Sequence, residues 1–269
     1  MSVKYRIAFS FVLLISLSCS QKDQFPEKKT EKVALNNVVL NSSFISETKK
    51  ATGDSVHLND FGKELKELMQ HKQWFEEQNT NFDLDKLESL WDNLQSEMTN
   101  FNFESVTNWI EITGFLFEIT VNAKYAEEQE KTAYQNNSSF SGTENKEIEN
   151  QMIPFVFTKN VDHIHVNLFT NATLKYNHTL KGAVGITQET NYPESGKIQI
   201  KFKMENKRYI ELYIRIPEWA EGATVTEKGV KYVTHPGEYC QISRKWGDGD
   251  MVEVIFPTER MPEYLKTAN

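Results

Sequence analysis

The chain has 269 residues, of which 25% are charged and 12% aromatic, and its formal net charge is −8. This is the composition of a soluble globular protein and excludes disorder as the main state; the length allows one large domain or two small ones. The acidic balance repels phosphate backbones and so excludes nucleic acid as a partner. Neutral glycans stay open, because they are held by flat aromatic surfaces and hydrogen bonds.

Lys4 and Arg6 precede an apolar run from Ile7 to Leu17, which closes in Ser16-Leu17-Ser18-Cys19. A positive start, an apolar middle and a small residue at the end make a secretory signal. The run is shorter than the about 20 residues that span a bilayer as a helix. The segment resembles a bacterial lipoprotein signal, although Ser16 stands where that pattern has a large aliphatic residue. The resemblance implies a signal over 1–19 and lipidation of Cys19. Ser20-Gln21-Lys22-Asp23-Gln24 is similar to the charged tag that sends some lipoproteins to the outer face of the cell. The expectation is a secreted protein, lipid-anchored at the outer membrane or cell surface. With Cys19 consumed, Cys240 is the single remaining thiol. That excludes an intramolecular disulfide and a four-cysteine metal site.

Residues 20–54 read as a stalk or linker. Gln21 to Lys32 is polar and charged around Pro26, and a short strand is expected within Asn36 to Phe44. Residues 55–135 carry a helical signal. Asn59 or Asp60 caps a first helix with Phe61, Leu65, Leu68 and Met69 on one stripe. A second follows Asp83, with Leu84, Leu87, Leu90, Trp91 and Leu94 at spacings of three and four. A third, from about Ser105 to Ile119, is apolar on much of its circumference and expects burial between other elements; a fourth covers Ala123 to Tyr134 and is mostly charged. Asn136 to Asn150, rich in Ser, Asn, Gly and Glu, reads as a loop and the domain boundary.

From 152 to 258 the period changes to two. Ile164 to Leu168, Lys197 to Phe202 and Tyr209 to Ile216 alternate apolar and polar residues. Turn-forming residues separate them at Gly182, Asn191-Tyr192-Pro193, Glu205-Asn206, Gly222, His235-Pro236-Gly237 and Gly247-Asp248-Gly249-Asp250. About eight to ten short strands make a β-sandwich, and residues 259–269 form a tail.

Four strings in this region have specific wording. They are His165-Val166-Asn167-Leu168-Phe169, the stretch from Ile186 to Ile198 containing Thr187-Gln188-Glu189-Thr190 and Tyr192-Pro193 with Gly196-Lys197, Leu212-Tyr213-Ile214-Arg215-Ile216-Pro217-Glu218-Trp219-Ala220, and Trp246-Gly247-Asp248-Gly249-Asp250-Met251-Val252-Glu253 leading to Phe256-Pro257. In this order they resemble the β-sandwich motifs of glycoside hydrolase family 127, the β-L-arabinofuranosidase-type proteins. Asn108 to Glu111, Phe117 to Thr120, Ala123 to Ala126 and Glu130 to Tyr134 are similar to the last helices of that family's catalytic barrel. The resemblance covers roughly Ser105 to Pro257. It implies an α+β protein: a small helical bundle, the incomplete remnant of an (α/α)6 barrel, packed against an antiparallel β-sandwich.

The family's barrel has about a dozen helices, and this chain has room for about four. The resemblance also implies a cysteine nucleophile at a zinc ion held by further cysteines and a glutamate. This chain has no cysteine between Ser20 and Tyr239. The expectation is therefore no cofactor, no metal site and no assignable catalytic residue. It gives a non-catalytic relative with a glycan-binding or structural sandwich. The alternatives are an active hydrolase of arabinofuranosides or a non-functional gene remnant, and a partner chain supplying the missing helices stays open.

Single residues weigh as follows. Trp219 and Trp246 are the candidate glycan contacts, against a plain role in sandwich packing. His163 and His165 share a strand face, but no third metal ligand is evident beside them. Glu111 and Glu118 lie seven apart on one helix face, a spacing open to an acid/base pair, and without a barrel around them they expect solvent or packing contacts. Cys240 reads as a small buried apolar residue.

Overall fold

The computed structural model describes residues 25–34, 37–42, 61–96, 102–136, 140–178 and 182–266. The signal with Cys19, and the expected helix caps Asn59 and Asp60, lie outside the described residues. Five helices come first: α1 (Phe61–Glu76), α2 (Leu84–Gln95), α3 (Phe103–Thr120), α4 (Ala123–Asn136) and α5 (Gly142–Val156). Two short strands precede them, β1 (Glu31–Lys32) and β2 (Val38–Leu40). After α5 the chain is β-structured: β3 (Phe157–Asn160), β4 (His163–Val166), β5 (Ala172–His178), β6 (Gly182–Thr190), β7 (Lys197–Met204), β8 (Arg208–Arg215), β9 (Thr224–Glu227), β10 (Val230–Tyr232), β11 (Tyr239–Trp246) and β12 (Met251–Ile255). A last short helix, α6, spans Glu263–Lys266.

The strands form two sheets, ordered β1-β3-β4-β8-β11 and β10-β9-β12-β7-β6-β5-β2. All pairings are antiparallel except β4 with β8. Period-two alternation puts Ile164, Ile210, Leu212, Ile214 and Ile242 of one sheet into a common core with Ile186, Ile198, Ile200, Phe202 and Val252 of the other. Val106, Ile110, Ala133, Ile148 and Met152 of the helices join that core. A second apolar cluster, built on Leu68, Leu87, Trp91, Trp109 and Phe115, holds α1 to α4 together. Trp91 and Trp109 stack at 5.1 Å, and the indole N–H of Trp91 donates to Thr113 Oγ1 at 2.9 Å. The result is an α+β protein with a helical layer against a sandwich.

Three sequence expectations change. The stretch from 136 to 150, read as a loop, is mostly the helix α5. Ser141 and Glu144 form a reciprocal capping box at its start, and Ile148, Met152 and Ile153 are buried on one stripe. A favourable cap and one apolar face outweigh polar composition. The helix ends just after Pro154, which cannot sit deep in a helix. The expected stalk is tied down over its described part: β1 pairs with β3, and the N–H groups of Lys29 and Thr30 both donate to the Glu118 carbonyl, at 2.8 and 3.1 Å. A polar segment gains these bonds only from a sheet edge and a helix end distant in sequence, which local composition does not encode. The expected tail contains α6, whose Leu265 is buried.

The helical layer meets the sandwich through a buried polar seam. Arg215, fully buried at the end of β8, donates from Nη2 to Glu130 Oε1 of α4 at 2.7 Å and from Nε to the Asn167 carbonyl at 2.6 Å. Its guanidinium lies 5.0 Å from the Phe169 ring centre. The other Glu130 oxygen accepts from Tyr192 OH at 3.1 Å. Asn167 accepts from Tyr239 OH at 2.6 Å and donates to the Phe155 carbonyl at 2.9 Å. Burial opposes the charge on Arg215, but Glu130 and Glu127 outweigh it and hold the guanidinium protonated.

Arg215→Met is expected to cost about 3–5 kcal/mol of unfolding free energy, because it strands the Glu130 carboxylate in the interior; Arg215→Met with Glu130→Met is expected to cost much less. Urea unfolding of the three proteins checks this, and an equal loss in the single and double variants would contradict it.

Candidate functional site

The four motif strings turn out to be scaffold. Asn167, Tyr192 and Arg215 build the seam. Gln188, fully buried, donates from Nε2 to the Leu168 carbonyl at 3.1 Å. Gly196 lies so close to Phe256 that a Cβ there would sit 2.0 Å from the Phe256 carbonyl oxygen, and the Phe256 N–H donates to the Gly196 carbonyl at 2.9 Å. Asp248 and Asp250 close the turn before β12: Asp248 Oδ1 accepts from the Met204 N–H at 3.1 Å, and Asp250 Oδ2 from the Gly247 N–H at 2.8 Å. Gly249 between them has φ +80°, a conformation that favours glycine.

The two tryptophans part company. Trp246 is 0% exposed, stacked on Phe202 at 4.1 Å, with its indole N–H donating to the Ile210 carbonyl at 3.0 Å. It is a core residue and is withdrawn as a glycan contact. The signal was available in sequence, since Trp246 shares a strand face with Ile242 and Cys240. Trp219 is half-buried, edge-on to Phe256 at 5.9 Å. It lines a cleft of about 370 Å³ with Tyr264 of α6, Glu127, Glu128 and Lys131 of α4, and Glu218. Its indole N–H is enclosed and has no hydrogen-bond partner among the described residues.

The cleft exists because Pro217 ends β8 just after Arg215 anchors it to α4. The chain then turns, and Glu218 donates its N–H to Glu127 Oε2 at 3.0 Å. Glu128, buried, accepts from Gln95 Nε2 at 2.9 Å, Lys131 Nζ at 3.2 Å and Trp109 Nε1 at 3.3 Å. Both α4 carboxylates are thus held by donors. A surface of two aromatic rings with fixed acceptors beside them can stack on a sugar ring and bond its hydroxyls.

The remaining candidates are placed as follows. Glu111 and Glu118 line a separate cleft of about 460 Å³ between α3, α5 and the N-terminal segment. Glu118 accepts from Lys28 Nζ at 2.7 Å and from the Lys32 N–H at 2.8 Å, and Glu111 pairs with Lys72 at 3.1 Å. Both carboxylates are therefore engaged with cations. His163 is exposed, 3.8 Å from Glu211. His165 is buried, stacked on Tyr213 at 4.6 Å and edge-on to Tyr239 at 5.3 Å. Cys240 is buried in the sandwich core, where burial pushes its thiol up to about 11. Among the described residues no three His, Cys, Asp or Glu side chains are grouped as metal ligands. The zinc centre implied by resemblance does not fit the residues present: the one described cysteine is a buried neutral thiol.

Residues 163–258 match the family model described as the middle domain of GH127 β-L-arabinofuranosidase. This stretch, just over a third of the chain, is thus similar to the middle domain of the GH127 β-L-arabinofuranosidases. The helical part of the resemblance lies outside the matched residues. A solved glycoside hydrolase has the same fold over 58% of this chain and 32% of its own, with a TM-score of 0.52 and 22% identity. A GH127 β-L-arabinofuranosidase from Geobacillus stearothermophilus T6 matches over 57% of this chain and 31% of its own, with a TM-score of 0.47 and 22% identity. A further GH127 β-arabinofuranosidase gives 0.49 and 21% over 58% of this chain and 32% of its own. This chain spans about a third of the length of these structures. No curated protein matches it in sequence.

His165, packed beside Tyr213 and Tyr239 away from the cleft, gives the fold an acid sensitivity. Burial, and to a lesser degree the neighbouring His163, lower its pKa from 6.5 to about 4. The folded state therefore binds fewer protons than the unfolded state between these values. Its contribution is complete above pH 6.5 and is lost as pH falls toward 4, by at most about 3 kcal/mol. His165→Phe is expected to flatten the fall in stability between pH 6.5 and 4; an unchanged slope in urea unfolding against pH would contradict this.

Proposed function

We propose that this protein binds neutral saccharide chains at the Trp219 cleft without cleaving them, and that a lipid on Cys19 holds it at the outer membrane or cell surface. The observation that carries the binding reading is Trp219 itself: a half-buried ring at a cleft shared with Tyr264. The relation to β-L-arabinofuranosidases makes arabinose-containing oligosaccharides the first choice of ligand. The non-catalytic reading is supported by the state of the acidic and thiol groups: Glu127, Glu128, Glu111 and Glu118 are all committed to donors, and Cys240 is buried and neutral. The lipid anchor rests on the sequence of the first nineteen residues alone.

Titration with arabinan-type oligosaccharides is expected to change the tryptophan emission, and Trp219→Ala is expected to abolish that change while weakening binding about tenfold, the loss of roughly 1.5 kcal/mol of stacking. Trp91, Trp109 and Trp246 are fully buried and serve as an internal reference. An unchanged spectrum would dismiss the binding reading. Hydrolysis of an arabinofuranoside, lost on chelation or thiol blocking, would replace the non-catalytic reading with that of an active hydrolase.

A further inference from the structure

The helical layer buries a histidine that its neighbours do not serve. His71 of α1 is 1% exposed, and neither of its ring nitrogens has a hydrogen-bond partner among the described residues. Native interiors leave few polar groups in that state, because each one weakens the fold. The ring lies edge-on to Trp74 at 4.9 Å and to Phe82 at 6.3 Å. Phe82 belongs to the turn between α1 and α2. In that turn the Asn79 N–H donates to the Trp74 carbonyl at 2.8 Å and the Phe82 N–H to the Asn79 carbonyl at 3.0 Å.

The same turn seats the N-terminal segment. Phe25 packs on Phe75 at 5.4 Å and on Phe82 at 5.6 Å, and those two rings meet at 5.2 Å. His71 and Phe25 thus bear on one ring, Phe82. Beyond Phe25 the segment is held by backbone bonds: Lys29 and Thr30 donate to the Glu118 carbonyl, Lys32 to the Glu118 carboxylate, and Val33 to the Pro154 carbonyl.

The charged groups that face His71 are Glu67 of α1 and Asp83 and Lys86 at the head of α2. Both carboxylates already have donors. Glu67 accepts from Lys86 Nζ at 2.7 Å, and Asp83 Oδ1 from the Lys86 N–H at 3.0 Å. A proton on His71 therefore brings a charge and a second N–H to a place that offers neither nitrogen an acceptor. Burial, and then Lys86, hold the imidazole below its ordinary 6.5, against the pull of Glu67 and Asp83. The closed arrangement binds fewer protons than an opened one, so closure is strongest above pH 6.5 and weakens as pH falls below it.

We infer that His71 makes the attachment of residues 25–33 acid-sensitive: its protonation parts α1 from the Phe82 turn, and Phe25 loses its seat. The device is separate from the Trp219 cleft and from His165, which acts on the sandwich.

The test is hydrogen exchange of the full chain at about pH 7.5 and about pH 5, corrected for the intrinsic pH dependence of exchange. The amides of Lys29, Thr30, Asn79 and Phe82 are expected to lose protection together in acid. The loss should be severalfold and about thirtyfold at most, the ceiling for one proton over about 1.5 pH units below 6.5. His71→Phe should abolish this response, and His165→Phe should retain it. Phe25→Ala should leave Lys29 and Thr30 poorly protected at both pH values while Asn79 and Phe82 still respond. The amides of Ile200 and Leu212 report the sandwich, and their protection should fall no further in the native chain than in His71→Phe. Unchanged protection in acid would overturn the inference, as would a full response of Lys29 and Thr30 in Phe25→Ala. An equal response in His71→Phe would assign the sensitivity to Glu118, which holds the segment directly, and would overturn it too.

Discussion

The pairing of Arg215 with Glu130 is the constraint around which the rest is arranged. Both groups are fully enclosed, and each is costly to bury alone. Their placement fixes α4 against the end of β8. Asn167 and Tyr239 then bind to the arginine's surroundings, and Tyr192 to the glutamate's. Strands far apart in sequence and one helix are thereby held in a single register. Apolar packing alone would tolerate sliding of the helices over the sheet, whereas directional hydrogen bonds to a charged pair do not. The Trp219 cleft is a by-product of that fixation, because β8 ends at Arg215 and the chain turns away at Pro217.

The strands were legible because their alternation is local. Ile198, Ile200 and Phe202, or Ile210, Leu212 and Ile214, declare a buried face without any knowledge of the partner sheet. The four motif strings all fall within the residues that match the GH127 middle-domain model. What they could not disclose was their purpose, since Asn167, Tyr192 and Arg215 come together only in three dimensions. An arginine on the outward face of a strand that otherwise alternates cleanly was a hint that something covers that face. The helix α5 was hidden by its polar composition, although the spacing of Ser141 and Glu144 is a capping box that the sequence displays. The attachment of residues 28–32 to α3 and β3 had no local signature at all.

The two tryptophans show how far a motif can carry a reading of a site. Both sit in matched strings, and only burial separates them. Trp246 fills the space between sheets, and Trp219 stands beyond the proline that ends its strand.

The N-terminal attachment has a mechanical consequence. Any load applied from before residue 25 meets first the Phe25 ring, packed on Phe75 and Phe82 at 5.4 and 5.6 Å, and then Lys28 to Lys32, where a two-residue strand pairs at the rim of a sheet and the carboxylate and carbonyl of Glu118 hold the backbone. So few bonds would peel one after another under tension while the interior stayed intact. The N-terminal attachment is thus a weak link: a pull would release residues 25–32 before it disturbed the interior of the sandwich.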